Sequence, residues 1–396
     1  MAHRCLAPTH EQRPPLTVSP PPKINRRIII TRIEHVQVDL VSLEPKTKRT
    51  DAIQSFVLQE TPILRLRCSD GSEGIGYTYT IGTGGSSIMA LLKDHLIPRL
   101  IGQDPDCIEA IWRDLVFHTH STHVGAITSL ALAAIDTALW DRRARVLGLP
   151  LWKLAGGAKT NVPVYTTEGG WLQLEREQLV DQACAARAQG FAGSKVKVGK
   201  PHLSEDVKRL TAVREAVGPD FELMVDANQS FSLSEALRRA RALDGLSLAW
   251  LEEPMPADNV MAHQHLCLHS PIPVAVGESM YSAGQFADYL QAQACHIIQV
   301  DVARVGGITP WLKVAHMAEA QNISVCPHFL MELHVSLSCA VPNAPWVEYI
   351  PQLDDIAHSR LAIENGRALP PQTPGLGIDW NWDQIHTLRT TSFECR

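Results

Sequence analysis

Three acidic residues recur at an even spacing in the middle of the chain, each at the end of a short apolar run. Asp226 closes LMVDAN, Glu252 closes AWLEEP and Glu278 closes VAVGE, and successive acids are 26 residues apart. That distance fits one strand plus one helix, so the three carboxylates are expected at neighbouring strand ends. Clustered carboxylates repel one another unless a cation neutralises them, and hard oxygen ligands favour Mg²⁺ over zinc. The pattern predicts one Mg²⁺ held by the three acids, whereas separate capping or ion-pair roles would require three coincidences.

Residues suited to proton transfer flank this triad. Lys195 and Lys197 are two residues apart in KVKVG, so both side chains leave the same face of a strand. Further along, IIQVDV ends near Asp301 and VCPHF contains His328. An aspartate beside a histidine orients the imidazole and stabilises its charged form. Lys197, His328 and Asp301 are therefore predicted to be catalytic, and they suit removal of an α-proton followed by its return or by loss of a hydroxyl.

The elements that must position these residues follow Asn161, where short apolar runs alternate with amphipathic helical segments. This alternation is typical of repeated βα units around a parallel sheet. The candidate strands are 162–167, 193–198, 222–228, 248–253, 273–278, 297–302, 324–329 and 346–350. Eight such strands favour a closed (β/α) barrel with shortened last connections, and a doubly wound open sheet is the alternative. A barrel would bring all of the candidate residues to its mouth.

The rest of the chain divides into three further segments. Residues 1–26 contain six prolines and no apolar period, which predicts a flexible or extended tail. Residues 27–158 begin with strand-like alternation and include a clear helix at 131–145, so they are predicted to form an α+β domain. Residues 159–369 are the predicted barrel. The segment 370–396 lacks the barrel pattern and is expected to return to the α+β domain.

Composition excludes several classes of protein. The chain has 396 residues, of which 45% are hydrophobic and 20% charged, and its net charge is −6, which disfavours a nucleic-acid binder. The nine cysteines include no C-x-x-C pair, so a disulfide framework or structural zinc site is not expected. The sequence contains neither an apolar run of membrane-spanning length nor an apolar signal core at its N-terminus. We therefore expect a cytoplasmic protein without nucleic-acid or membrane partners, which assembles as a homo-oligomer.

Taken together, the motifs resemble those of the enolase superfamily, mandelate racemase branch. In chain order they are AAIDTALWDRRARVLGLPLWKLAGG, KVKVG, VDAN, WLEEP, VGES, QVDVARVGGIT and PHF. The resemblance implies an α/β fold with an N-terminal α+β capping domain over a modified (β/α)₇β TIM barrel, and Mg²⁺ at the three acids. It also implies that Lys195 lies near the substrate carboxylate and that Lys197 and His328 form the acid/base pair. Asn228 of VDAN and Glu348 of WVEYI are the further substrate-binding residues that it implies.

Within this branch, HFLMELHVSL and PWVEYI are most similar to acid-sugar dehydratases of the L-talarate/galactarate type. Such enzymes remove water from a polyhydroxy carboxylate to give a 2-keto-3-deoxy sugar acid. The segment YTIGTGGSS at 79–87 has no Lys or Arg where diacid-specific members carry basic residues, so a monocarboxylate substrate remains open. The prediction is a Mg²⁺-dependent dehydratase acting on a small sugar acid. The alternatives are a racemase or epimerase with the same residues, and a barrel kept only as a metal-stabilised scaffold.

Two other features receive a plainer interpretation. The glycine-rich run 82–85 lacks the Lys of a phosphate-binding loop, and it predicts a mobile loop that closes over the substrate. His118, His120 and His123 have no further ligand nearby in the sequence. We therefore interpret them as a domain edge or a substrate contact rather than as a metal site.

Overall fold

An antiparallel sheet opens the part of the chain that this computed structural model describes, residues 30–396. The predicted tail, residues 1–26, lies outside the described residues. The first strands are β1 (Ile33–Leu43), β2 (Arg49–Thr50), β3 (Ser55–Phe56), β4 (Gln59–Cys68) and β5 (Glu73–Tyr77). β4 pairs antiparallel with both β1 and β5, and the short strands β2 and β3 pair with each other. β1 and β4 are rich in Val, Ile and Leu, which suit a half-buried pleated sheet.

The next segment is helical. Its helices are α1 (Gly85–Leu91), a π-helical turn (Leu92–Leu96), α2 (Ile97–Leu100), α3 (Ile108–His118), α4 (Ala126–Val146) and α5 (Leu151–Leu154). α4 contains the predicted helix at 131–145 but begins earlier, directly after Gly125. It packs closely on β5, because a Cβ added at Gly74 would lie 2.1 Å from the carbonyl oxygen of Ala138. The glycine therefore permits the approach of helix and sheet that builds this half of the molecule.

A parallel barrel follows, and each of its strands lies inside an interval predicted above. The strands are β6 (Val162–Thr166), β7 (Gly193–Lys197), β8 (Glu222–Asp226), β9 (Leu251–Glu252), β10 (Val274–Val276), β11 (Ile297–Ile298), β12 (Ser324–Val325) and β13 (Val347–Tyr349). Neighbours from β6 to β12 pair in sequence order, and β13 pairs parallel with β6. A consecutive order in which the last strand lies beside the first belongs to a barrel, whereas a doubly wound sheet reverses its order.

Helices cover the outside of this barrel. They are α6 (Arg176–Ala188), α7 (Leu203–Val217), α8 (Leu233–Leu243) with a 3₁₀ turn (Asp244–Leu246), α9 (Val260–His269), α10 (Ala283–Gln291), α11 (Ile308–Ala320) and α12 (Met331–Ala340). One helix follows each strand from β6 to β12, and β13 leads into the hairpin β14 (Ala362–Glu364) and β15 (Arg367–Leu369). The predicted (β/α)₇β barrel with an N-terminal α+β cap is confirmed. Within the described residues, no helix has the length and apolar composition required to cross a membrane.

The chain ends back on the first sheet. α13 (Trp382–Leu388) leads into β16 (Arg389–Cys395), which pairs antiparallel with β1. Val36 lies opposite Cys395 and Val38 opposite Phe393 in this register. The C-terminal strand therefore completes a four-stranded sheet in the cap. The exact domain bounds stay predictions.

Buried polar contacts fix the cap over the barrel. Asp136 of α4 accepts a hydrogen bond from the backbone N–H of Thr309 at 2.9 Å, in the first turn of α11. The indole N–H of Trp140 donates to the hydroxyl of the same threonine at 2.9 Å. Ser129 donates to the carbonyl oxygen of Tyr281 at 2.8 Å, beyond the end of β10. One cap helix is thus tied to two loops on the side of the barrel where the strands end.

The carboxyl of Asp136 should make stability depend on pH. Burial raises its pKa from 3.8 to about 7, so between these values the unfolded chain releases a proton that the folded chain keeps. Stability contributed at this site therefore falls as the pH rises. Asp136→Asn removes the titration and retains an oxygen acceptor for Thr309. Relative to the wild type, we expect the variant to gain about 1 to 3 kcal/mol of unfolding free energy between pH 5 and pH 8, measured by urea unfolding. If the difference in unfolding free energy between Asp136→Asn and the wild type is the same at pH 5 and pH 8, the prediction is wrong.

Candidate active site

The three predicted metal ligands meet at the mouth of the barrel. Asp226 ends β8, Glu252 ends β9, and Glu278 lies just beyond β10. Each offers one carboxylate oxygen, and these oxygens all lie within 4.8 Å of one another. All three residues are buried, and Oε2 of Glu278 is a buried acceptor that receives no hydrogen bond from the described residues. Converging buried carboxylates with a free acceptor fit a hard divalent cation such as Mg²⁺.

Two lysines from β7 lie against this triad. Lys195 Nζ is 2.7 Å from Oε1 of Glu252 and 2.8 Å from Oε1 of Glu348. Lys197 Nζ donates a hydrogen bond to Oδ2 of Asp226. Burial disfavours the charged form of both ammonium groups, but the neighbouring carboxylates outweigh it and raise the pKa of each lysine. The predicted common face is present: Lys195 lies closest to Glu252 and Glu348 and is 3.8 Å from Asp226, which Lys197 contacts more closely.

His328 and Asp301 form the predicted pair. Nδ1–H of His328 donates to Oδ2 of Asp301 at 2.9 Å, which leaves Nε2 for the pocket, 3.3 Å from Oε2 of Glu278. The backbone N–H groups of Ala303 and Arg304 donate to Oδ1 of Asp301. Burial raises the pKa of Asp301, but the hydrogen bond and charge of His328 outweigh it and lower that pKa to about 2. Asp301 is therefore an ionised, fixed partner that sets the orientation of the imidazole.

The strand order places the triad between the two proposed bases. Lys197 ends β7, the acids follow on β8 to β10, and His328 lies after β12. Both bases line one pocket together with Asn228 and Glu348, so the structure brings the predicted site residues together. Glu348 Oε2 accepts the backbone N–H of Phe329 at 2.8 Å. Burial raises the pKa of Glu348, and Lys195 outweighs this to lower it.

Sequence reasoning missed a cap residue that contacts the histidine pair. The hydroxyl of Tyr79 donates to Oδ2 of Asp301 at 2.7 Å, the oxygen that also receives His328. Nε–H of Arg304 in turn donates to the Tyr79 hydroxyl at 2.9 Å, and its Nη1–H donates to the carbonyl oxygen of Glu278 at 3.0 Å. Nothing in the run YTYTIG indicates which strand end this side chain reaches. The cap therefore supplies one of the hydrogen bonds that hold the carboxylate of Asp301.

Removing the Tyr79 hydroxyl tests that contact. Tyr79→Phe removes one of the two side-chain donors to Oδ2 of Asp301. This oxygen then accepts a hydrogen bond from His328 alone. We expect kcat to fall by about 5- to 50-fold with little change in KM, since the hydrogen bond to Asp301 and the one from Arg304 are both removed. Tyr77→Phe is the matched control, because Tyr77 is an equally buried cap tyrosine whose hydroxyl has no hydrogen-bond partner in residues 30–396. Equal losses in the two variants would show that Tyr79 acts only through packing.

The cap contributes a second wall to the pocket. It comes mainly from Asp51, Ile53, Gln54 and Phe56, in and beside the hairpin of β2 and β3. From the segment at 79–87, in which a closing loop was predicted, only Ile81 lines the pocket. The spacing of these loop residues carries no period that would have identified them.

The remaining candidate features lie elsewhere. In residues 30–396 the acidic triad is the only group of three or more side chains placed to share a metal ion, so His118, His120 and His123 do not form such a site. The cysteines in that part of the chain are all free. The chemistry therefore concentrates in the single pocket at the mouth.

Comparisons with known proteins agree with this architecture. Residues 37–156 match the model of the mandelate racemase / muconate lactonizing enzyme N-terminal domain, and residues 178–384 match that of the enolase C-terminal domain-like family. L-talarate/galactarate dehydratase of Salmonella typhimurium is 37% identical over 88% of this chain and 88% of its own length. The 3,6-anhydro-alpha-L-galactonate cycloisomerase of Streptomyces coelicolor is 34% identical over 90% of this chain and 99% of its own.

A solved structure extends this similarity to three dimensions. The crystal structure of the Salmonella dehydratase with Mg and L-lyxarohydroxamate has a TM-score of 0.89 and 34% identity, covering 93% of this chain and 95% of that one. The carboxylate triad found here is the kind of donor set that such an ion requires. Cap, barrel, motifs and pocket thus all lead to one assignment. The chain belongs to the mandelate racemase/muconate lactonizing enzyme family of the enolase superfamily.

Proposed function

We propose that this protein is a Mg²⁺-dependent dehydratase that converts a sugar acid into its 2-keto-3-deoxy product. The observation that carries the proposal is a pocket lined by Glu278 of the acidic triad, by Lys197 on one flank and, on the other, by His328, which Asp301 holds. The similarity to a dehydratase acting on acid sugars supports the same chemistry. A scaffold without activity would not need all of these groups in one place.

Binding comes before chemistry. Asp226, Glu252 and Glu278 would hold the Mg²⁺. When bound there, the ion stabilises the negative charge that develops on the substrate carboxylate as the α-proton leaves. Lys195 is fixed between Glu252 and Glu348, which lets its ammonium meet the same carboxylate without a large rearrangement. Asn228 offers a buried amide oxygen without a partner, which suits a substrate hydroxyl.

Proton transfer falls to the two flanking residues. One of Lys197 and His328 takes the α-proton, because both line the pocket beside the triad. The β-hydroxyl then leaves as water with a proton from the His328 imidazolium, which Asp301 orients and stabilises. The enol that remains takes up a proton and becomes the 2-keto acid, so the net change is loss of one water molecule.

A racemase or epimerase is the second candidate. The observation that favours it is the position of Lys197 and His328 on opposite sides of the triad in the strand order. If each base reaches one face of the α-carbon, a proton removed by one is replaced by the other. The cycloisomerase relative shows that the family supports reactions other than loss of water. This candidate needs no β-hydroxyl on the substrate.

One screen separates the two candidates. The purified protein with Mg²⁺ is incubated with a panel of mono- and dicarboxylate sugar acids, and 2-keto acid is detected with a carbonyl reagent. We expect a keto acid from at least one member. Absence of keto acid together with α-deuterium exchange from D₂O would overturn the dehydratase and support the racemase or epimerase. The homo-oligomer and the cytoplasmic location stay predictions.

A further inference from the structure

The two halves of the pocket differ in charge. The barrel half carries Lys195, Lys197 and Arg304. Among the described residues that line the cap half there is no cation: the lining side chains there are Asp51, Ile53, Gln54, Phe56 and Ile81. When the carboxylate of a substrate binds near the triad, the other end of that substrate therefore faces one acid, one amide and three apolar side chains.

The lysines of the barrel half already form ion pairs with carboxylates of the site. Lys195 pairs with Glu252 and Glu348, and Lys197 with Asp226. These lysines lie beside the triad, where the reacting carboxylate is expected. Neither can serve a second carboxylate at the cap end as well.

Arg304 is committed in the same way. Its Nη1 lies 3.3 Å from Oε1 of Glu278, and its Nε–H donates to the hydroxyl of Tyr79. The guanidinium is thus held between one triad member and the cap residue that contacts Asp301. It supports the reacting end of the pocket rather than the far end.

The cap arginine Arg49 lies behind the pocket wall, because its guanidinium is over the rings of Phe56 and Trp171, which line the pocket. Arg49 is buried and pairs with Glu168, and its guanidinium also donates to the side chain of Gln352 at 3.3 Å. It donates to the carbonyl oxygen of Pro351 as well and lines a neighbouring cavity rather than this pocket. Freeing it would leave the half-buried carboxylate of Glu168 without its cation.

Asp51 has the geometry of an acceptor. Its Oδ1 accepts the backbone N–H groups of Ile53 and Gln54, both at 2.8 Å, which fixes the carboxylate in the loop. Oδ2 accepts no hydrogen bond from the described residues. Burial raises the pKa of Asp51, while the N–H of Ile53 and the charge of Lys197 act in the opposite direction. The carboxylate therefore lies within electrostatic reach of the proposed base.

We infer that the substrate carries a single carboxylate and an uncharged far end, where a hydroxyl donates to Asp51. This rests on the proposed function and names its substrate class, an aldonate or related monoacid rather than an aldarate. A second carboxylate would meet the like charge of Asp51 in a pocket wall whose described residues include no cation, which disfavours diacids. The relatives do not decide the matter, because one is named for a diacid and the other for a galactonate derivative.

The test compares matched substrates. A panel of hexonates is paired with the hexarates of the same configuration, and kcat/KM is measured for each pair with the full-length Mg²⁺-loaded enzyme. Calorimetry on the Lys197→Ala variant gives Kd for the same compounds without turnover. Asp51→Asn removes the charge and keeps an oxygen for both backbone N–H groups. Asp104→Asn is the matched control, because Asp104 accepts the N–H of Asp106 in a similar turn outside the pocket.

For the best pair we expect the hexonate to exceed the hexarate by about 100-fold in kcat/KM, and Asp51→Asn to narrow that ratio by about 10-fold. Asp104→Asn should leave the ratio unchanged. If no compound loses water but Kd still favours hexonates, the proposed dehydration is wrong and the monoacid assignment stands. Equal or tighter binding of hexarates, no measurable binding of either class, or an unchanged ratio in Asp51→Asn overturns the inference.

Discussion

His328→Asn is expected to lower kcat for dehydration by about 10³-fold, and Lys197→Ala to have an effect of similar size. Positioned general acids and bases contribute about 10²- to 10⁴-fold each. His328 presents Nε2 to the pocket because Nδ1–H is held by Asp301, and Asn has no group that accepts and returns a proton at neutral pH. Initial-rate kinetics with saturating substrate measure the loss.

The two variants also distinguish the roles of the residues. Whichever residue removes the α-proton, its loss should abolish exchange of that proton with D₂O, whereas loss of the acid alone should permit exchange without dehydration. His316→Asn and Lys313→Ala are the matched controls, since both are exposed residues of α11 that contact surface carboxylates, Glu319 and Glu109 respectively. Near-normal turnover in either active-site variant would remove that residue from the mechanism. Circular dichroism and Mg²⁺ binding should remain those of the wild type.

The barrel was readable from sequence because its signals repeat. Apolar runs separated by helical segments recur along the second half of the chain, and all eight strands of the structure lie inside the eight predicted intervals. Asp226, Glu252 and Glu278 could be identified because the C-terminal ends of all strands in a parallel barrel lie at the same mouth. Lys195 and Lys197 followed from the period of two along a strand. In each case local spacing alone determines where the side chain lies.

The contacts made by the cap could not be predicted from the sequence, because they do not follow a repeating local pattern. Tyr79 reaches Asp301 and Asp51 reaches the pocket only after the cap has docked on the barrel, and docking depends on contacts such as Asp136 with Thr309. Loop residues have no period, so sequence spacing does not indicate their partners. The cap wall illustrates the limit, since most of it comes from the hairpin near Asp51 and only Ile81 comes from the segment 79–87. Specificity therefore resides in the part of the molecule with the weakest sequence signal.

Removal of the metal should have an effect as large as loss of a base. Dialysis against a chelator is expected to abolish turnover, and added Mg²⁺ should restore it. Removal of the metal should also lower the thermal midpoint, because the three converging buried carboxylates are then offset by Lys195, Lys197, Arg304 and His328 without the divalent cation. At a free Mg²⁺ concentration about 100 times Kd, binding adds about 2.7 kcal/mol to stability. Thermal melts at several Mg²⁺ concentrations measure this gain.

Single substitutions connect the metal effect to the triad. Glu278→Gln keeps the size of the side chain and removes the charge of the one triad acid that no lysine contacts within 4.0 Å in the described residues. We expect Mg²⁺ affinity to fall by about 100-fold or more, since a hard cation loses an anionic ligand. Asp136→Asn is the control, because it also neutralises a buried carboxyl but lies at the joint between cap and barrel. An Mg²⁺-dependent rise in thermal midpoint that survives in Glu278→Gln but is lost in Asp136→Asn would place the ion outside the mouth. If the Mg²⁺-dependent rise is lost in Glu278→Gln and kept in Asp136→Asn, then metal binding, stability and turnover all depend on the same three strand ends.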